Sequence, residues 1–316
     1  MSEKKEEVYR TSIGGQAIME GVMMRGPKKA CIAVRNPQGE IVIEDLRSEE
    51  RFAAVKHIPV VRGVFNFVAS LIVGYKAIDR STEIALSDEE LEPTKFEKWL
   101  DRKFGGAGTK IITTITVIFG VVLALGLFIG LPMLIAEGIK ALTGWNMGYF
   151  QHLFEGVIRI AVFIGYIALV RLMPDIKRLF AYHGAEHKTI FAYEHGKELT
   201  VENVRPESRF HPRCGTSFLL VVMVVSILVN SVVKVSATLP RIACHLALLP
   251  LVVGISYEIN RWCGMHDNKL SAFLSAPGKW LQRITTVEPD DSMIECAIRA
   301  MELVIPDEKG TDEWGK

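Results

Sequence analysis

Apolar residues run almost without interruption through 111–136, 214–233 and 242–257. At ~1.5 Å of rise per residue, a helix of about 20 such residues matches the ~30 Å hydrocarbon core of a bilayer, so the pattern excludes an ordinary soluble enzyme. Four transmembrane helices are predicted. The first is 111–136, with 26 uncharged residues and Pro132 near its end, and the second is 152–173, interrupted by Glu155, Arg159 and Arg171. The third is 217–233, containing Asn230, and the fourth is 239–257, containing His245 and Pro250. Glu155 and Arg159 stand one turn apart in the favourable order and are expected to pair on one helix face. Residues 58–80 behave differently: wound as a helix, they gather Arg62, Asn66, Ser70, Lys76 and Arg80 on one stripe, with Val61, Val64, Phe65, Val68, Leu71, Ile72 and Tyr75 around the rest. This predicts an amphipathic helix that lies at the interface, re-enters it, or lines the bundle with its polar stripe.

Upstream, ACIAVR and EIVIEDL flank NPQG, so 30–46 reads as a β-hairpin. The segment before it, IGGQAIMEGVMMRGP, is too rich in glycine for a helix, and 1–57 is expected to form a small β-containing module outside the membrane. The chain then divides into 58–110, the amphipathic helix and a charged connector; 111–173, a first transmembrane hairpin; and 174–216, a loop carrying the densest chemistry. A second hairpin, 217–260, and an amphipathic tail, 261–316, complete it. In the tail, Leu270, Phe273, Leu274, Trp280 and Leu281 form an apolar side beside Lys279 and Arg283, suited to an interface. After the capping sequence EPDDS, Ile294, Ala297, Ile298, Met301 and Val304 repeat at helical spacing and predict a short amphipathic helix. The fold class is a mainly α polytopic membrane protein with a small N-terminal β module.

Basic residues set the expected orientation. Residues 1–57 hold ten Lys and Arg, 80–110 six, 171–213 eight and 258–316 seven, whereas the segment 137–151 holds Lys140 alone. Four spans with both termini in the cytosol satisfy these counts, placing Cys31, Cys214, Cys263 and Cys296 inside and the loop around Trp145 outside. The N-terminal module, 174–216 and the tail then share one membrane face. The start, MSEKKEEVYR, has no apolar core of the kind a cleavable signal peptide needs, and five cysteines without paired spacing argue for reduced thiols. Together these point to a bacterial inner membrane. A net charge of +1 offers no global electrostatic case for nucleic acid.

The sharpest local signal is His183, Glu186 and His187 in the order H-x-x-E-H. On a helix the two histidines stand one turn apart on one face, where two imidazoles can share a divalent metal, Zn²⁺ being the expected ion, at ~2.1 Å each. This is the inverted form of the zinc-protease motif, in which the glutamate serves as general base toward a water. A third ligand is needed. Glu194 lies about 10 Å farther along an intact helix, too far to close onto the same ion. His211 and Cys214, in RFHPRCGTSF, and Glu258, just beyond the fourth span, are the candidates. The plainer reading makes His183 and His187 hydrogen-bonded residues at a headgroup boundary and Cys214 a small buried apolar residue, and Gly184 weakens the helix on which the spacing rests.

The segments GGQAIMEGVMMRGP, HGAEHKTI, HPRCGTSF, ISYEINR and WLQRITTVEPDD together resemble the YqhQ-like family of bacterial membrane proteins, a family of unknown function described as metal-dependent enzymes by inference. The likeness spans roughly 13–301. It implies metal dependence at residues corresponding here to His183, Glu186, His187, His211 and Cys214, and brings no substrate with it. Two readings therefore stand open. In one, the chain is an inner-membrane hydrolase with a metal site at the cytosolic face and Glu186 as base. In the other, the same polar residues fasten a non-enzymatic scaffold that docks, beside the lipid bilayer, onto a membrane-protein complex such as translocation or assembly machinery, or onto a second copy of itself. Transport is disfavoured by so few intramembrane charges.

Overall fold

The computed structural model of the chain describes residues 9–46, 57–86, 95–104, 108–144, 150–232, 238–266, 268–308 and 310–314. The glycine-dense segment and the expected hairpin join into one antiparallel meander, β1 (Gly14–Ile18), β2 (Gly21–Arg25), β3 (Ala30–Arg35) and β4 (Ile41–Leu46), in the order β1-β2-β3-β4. Ile18 pairs with Gly21, which leaves Met19 and Glu20 as a two-residue turn with Glu20 at a φ of 47°. In the β3–β4 hairpin, Arg35 pairs with Ile41, and the Glu40 N–H donates to the Asn36 side chain at 2.8 Å. Glycine density here serves strands that other segments approach closely, as Ala33 does Gly21 and Val304 does Gly26, not helix breaking.

The sheet is covered on both faces. Residues on alternate positions of β2 and β3 part company: Val22, Met24, Cys31 and Ala33 pack with α6 (Pro174–Glu194) and α11 (Asp291–Val304), while Met23, Ile32 and Val34 pack with Ala77 of α1 (Val61–Ala85). The expected N-terminal module is thus the middle layer of a body whose one outer layer is the next helix, α1, and whose other, α6 with α11, comes from far along the chain. The expected tail helix is α11, with Asp290 as its N-cap, accepting from Met293 N at 3.0 Å, and Ile294, Ala297, Ile298, Met301 and Val304 all buried. The segment expected as a loop, 174–216, opens with the 21-residue α6, started by Pro174 at its first turn, followed by the short α7 (Val201–Val204).

Below this body lie α2 (Lys95–Phe104), α3 (Gly108–Leu125), a π-helical turn (Gly126–Gly130), α4 (Leu131–Thr143), α5 (Gln151–Val170), α8 (Gly215–Ser231), α9 (Thr238–Met265) and α10 (Lys269–Thr285). By length and composition four stretches are long and apolar enough to cross a membrane: Val61–Ala85, Thr114–Thr143, Leu153–Val170 and Ile242–Met265. Three coincide with expected spans. The fourth is α1, while the expected span 217–233 corresponds to α8, an apolar helix of only 17 residues. The amphipathic helix expected over 58–80 therefore runs longer than foreseen, to Ala85. Its C-terminal half lies on the sheet, where Gly74 meets the Gln16 side chain and Ser81 Oγ accepts from Met19 N at 3.2 Å. The connector between α1 and α2 and the loop around Trp145 fall outside the described residues. All five cysteines are free thiols, as expected.

Candidate metal centre

His183, Glu186 and His187 sit in the buried middle of α6 and face the loop that leads into α8. Gly184, between them, is where residues 286–289 cross the helix: Val287 N donates to Phe180 O at 2.8 Å, and a Cβ on Gly184 would stand 2.2 Å from Val287 O. The glycine that weakens the helix in isolation is required by this crossing, and the crossing brings the Thr285 carbonyl beside His183.

His183 Nδ1 lies 2.9 Å from Thr285 O, and His187 Nδ1 lies 2.6 Å from Arg209 O. A carbonyl only accepts, so each Nδ1 carries a proton, and each Nε2 is left to face other partners. His183 Nε2 is 3.2 Å from Cys214 Sγ, so two segments 31 residues apart meet directly. The two imidazole rings are 4.4 Å apart, and ligand atoms of His183, His187 and Cys214 all fall within 4.8 Å of one another, with all three residues buried. Tetrahedral coordination with bonds of ~2.1 Å to nitrogen and ~2.3 Å to sulfur puts such atoms about 3.6 Å apart, so the cluster needs little change to close on an ion. Imidazoles oriented by carbonyls behind them are the usual support of metal-binding histidines. Two histidines and a thiolate therefore fit a zinc-like cation.

Cys214 is the N-cap of α8, its sulfur accepting from Thr216 N at 3.4 Å and lying 3.1 Å from Thr216 Oγ1. Burial pushes its thiol pKa up, but His187 and His183 outweigh this and hold it well below its ordinary value. Burial likewise pulls His183 down, and the adjoining Cys214 carries it up to about 9. Each of the two thus favours the charged form of the other, and a cation bound between them would take over the role of the imidazole's added proton. Burial raises the Glu186 carboxyl, against the pull of His187 and His183, while the Gly15 N–H bonds it. Gly15 is required there, because a Cβ would come within 2.9 Å of Glu186 Cγ.

The other two expected ligands are elsewhere. His211 is buried beside the cluster, its ring 5.6 Å from that of His187, but its Nε2 faces Glu194 Oε2 at 3.4 Å and burial holds its pKa down to about 4. Glu194 also contacts Arg213 and accepts from Thr11 N at 2.9 Å, so this carboxylate belongs to a separate buried network. Glu258 is taken by Arg62, whose Nε donates to Oε1 at 2.7 Å, with Val60 N adding a bond at 3.2 Å. The reason is packing: Gly63 and Gly254 let α1 start hard against α9, and this places Arg62 over the carboxylate. One residue the motifs did not suggest is Gln282. Fully buried on α10, it accepts from His211 N at 2.8 Å and donates to His211 O at 2.7 Å and Ser217 Oγ at 2.9 Å, fixing the loop that delivers Cys214.

The cluster lies at one end of a cavity of about 610 Å³, whose wall takes in Gly14, Gly15 and Gln16 of β1, Asn66 and Leu71 of α1, and Tyr257 of α9.

Residues 58–307 match the family described as "Protein of unknown function (DUF1385)". The chain is also 33% identical over 291 residues to "Uncharacterized protein YqhQ" of Bacillus subtilis (strain 168), covering 91% of this chain and 90% of that one. The chain belongs to this family. No solved structure matches it.

Proposed function

We propose that the chain is a membrane hydrolase that holds one divalent cation, zinc by its donor set, on His183, His187 and Cys214. The observation that carries this reading is the orientation of both imidazoles by carbonyls, with Nε2 of His183 turned onto the buried sulfur of Cys214. When bound, the ion supplies Lewis-acid chemistry toward a water and a carbonyl. The remaining work belongs to the chain. Glu186, held by Gly15 and made more basic by burial, accepts the water's proton as a carboxylate and passes it to the leaving group. His211, neutral, packs against His187, and Gln282 holds the loop between them. The centre sits at the cytosolic face of a bacterial inner membrane with both termini inside, because the basic residues cluster in 1–57, 171–213 and 258–316. In this arrangement α8 crosses the bilayer and α1, tied to the sheet, lies along its surface.

Elemental analysis of the purified full chain tests the reading. About one zinc per chain is expected, lost in His183→Ala, His187→Ala and Cys214→Ala. Glu186→Gln should keep the metal and the fold while abolishing function in cells, since an amide cannot take the proton. Absence of stoichiometric metal from the native protein overturns the proposal. The Gly15–Glu186 bond favours a second reading, the scaffold, because it ties β1 to α6. On that reading Glu186→Gln lowers stability or the binding of a partner complex or second copy, with no separate chemical defect.

A further inference from the structure

The cavity that begins at His183, Glu186 and Cys214 ends between α1 and α8, where Phe67 and Leu71 face Phe218 and Leu219. The rings of Phe67 and Phe218 are 5.9 Å apart across that gap. Leu71 and Leu219 line the cavity and are also 56% and 42% exposed on the outside, so the mouth opens on the molecular surface. The surface it opens on is apolar: Val68 and Ile72 continue it along α1, and the half-buried Val222 and Met223, one turn on from Leu219, along α8. The wall also carries polar groups without charge: Asn66, bonded to Tyr257 at 2.9 Å, Asn260, and Ser70, exposed beside Leu71. Among the described lining residues the arginine is Arg213, and Glu194 already engages it.

From an exposed apolar mouth, neutral polar groups on the wall and a buried reactive cluster, we infer that the substrate is a bilayer lipid carrying an acyl ester or amide, which enters sideways between α1 and α8; the inference rests on the hydrolase reading above. An acyl chain matches the apolar mouth, and a carbonyl with its neighbouring oxygen or nitrogen matches the uncharged hydrogen-bonding wall. A phosphate would need free cations there. A membrane-spanning peptide, ~10 Å across as a helix, would have to unwind and strand its backbone polar groups in the apolar mouth. In the reaction, water oxygen adds to the acyl carbonyl carbon and the bond from that carbon to the ester oxygen or amide nitrogen breaks. The proton taken by Glu186 goes to the departing oxygen or nitrogen. The products are a fatty acid and an alcohol or amine, and no redox partner is required.

The test uses the full chain in phosphatidylcholine vesicles containing a lipid with a diazirine on its acyl chain, with zinc content and fatty-acid release measured on the same samples. Photolabelling is expected on the peptides carrying Leu71 and Leu219, falling by about tenfold in Leu71→Trp and in Leu219→Trp and unchanged in Leu228→Trp, which is exposed and apolar but lies on the opposite side of α8 from Leu219. Glu186→Gln should keep the labelling and lose the release. Labelling at the mouth no stronger than around Leu228, in protein that retains its zinc, overturns the lipid substrate and leaves the hydrolase reading standing. Labelling by a diazirine-bearing transmembrane peptide in place of the lipid overturns it in favour of a peptide substrate. Zinc-free native protein sinks the hydrolase reading, and this inference with it.

Discussion

Helices α3 and α6 invert the relation between hydropathy and burial that holds in water. The α3 sequence ITVIFGVVLAL leaves Phe119, Val121 and Val122 65%, 54% and 60% exposed. The α6 sequence begins DIKR and carries HGAEHK, yet twelve of its residues are buried. Buried polarity is tolerable only when partnered, and α6 meets that condition: Lys188 Nζ donates to Arg205 O at 2.7 Å, Thr189 Oγ1 to Ala185 O at 2.8 Å, and Glu194 accepts from Thr11. Exposed apolarity on the scale of α3 is tolerable only when the surrounding medium is itself apolar. One region is therefore organised by hydrogen-bond completion around a site, the other by lipid.

The largest effect should come from filling the space that α6 leaves for its neighbour. Gly184→Leu sets a side chain against the Val287 carbonyl and should cost upward of about 4 kcal/mol, seen as loss of monodisperse protein in detergent and a collapsed thermal transition. If Gly184→Leu folds normally, the crossing of 286–289 over α6 is wrong. On the other side of the comparison, Val121→Lys places a charge where α3 meets lipid and should disfavour insertion by about 3 kcal/mol, read from membrane integration of the full chain; a water-facing α3 would accept the lysine without cost.

Thiol reactivity sharpens the contrast within the buried body. Burial pushes Cys31 up to about 12 and Cys296 up to about 11, so both stay protonated and unreactive at pH 8. Cys214, whose thiol His187 and His183 hold well below its ordinary value against burial, should be alkylated first by iodoacetamide after chelation and be protected when zinc is added back. Equal labelling of the three cysteines would remove the thiolate from the site. The smallest effect lies at the edge of α6. Burial raises Glu207, but Lys197 at 2.7 Å and His195 at 3.0 Å bring it below the ordinary 4.5. Its folded-state pKa being depressed, its contribution is present above that ordinary value and lost as pH falls through the folded one. Glu207→Gln should remove this acid-side dependence at a cost of about 1 kcal/mol or less, measured by thermal unfolding across pH.

Much of this architecture was legible from spacing. The hairpin at 30–46 follows from two β-rich runs around a turn, and α11 from apolar residues repeating every three or four positions behind Asp290. His183 and His187 share a helix face for the same reason, since a repeat within one element is set by backbone geometry alone. The glycine-dense start was harder to read. One face of the sheet owes its burial to α6 and α11, more than a hundred residues farther along the chain, and only the other to α1, the next helix.

The sequence by itself determined the medium, the mainly helical class and the pairing of two imidazoles one turn apart, because each depends on neighbours within about a helix length. Only the tertiary structure decided that Cys214 joins them, that His211 turns to Glu194 and that Glu258 goes to Arg62. Those choices depend on loop trajectories set by distant contacts, Gln282 gripping His211 and Gly63 admitting α9. Such contacts act between segments far apart in the chain and leave no periodic trace in it.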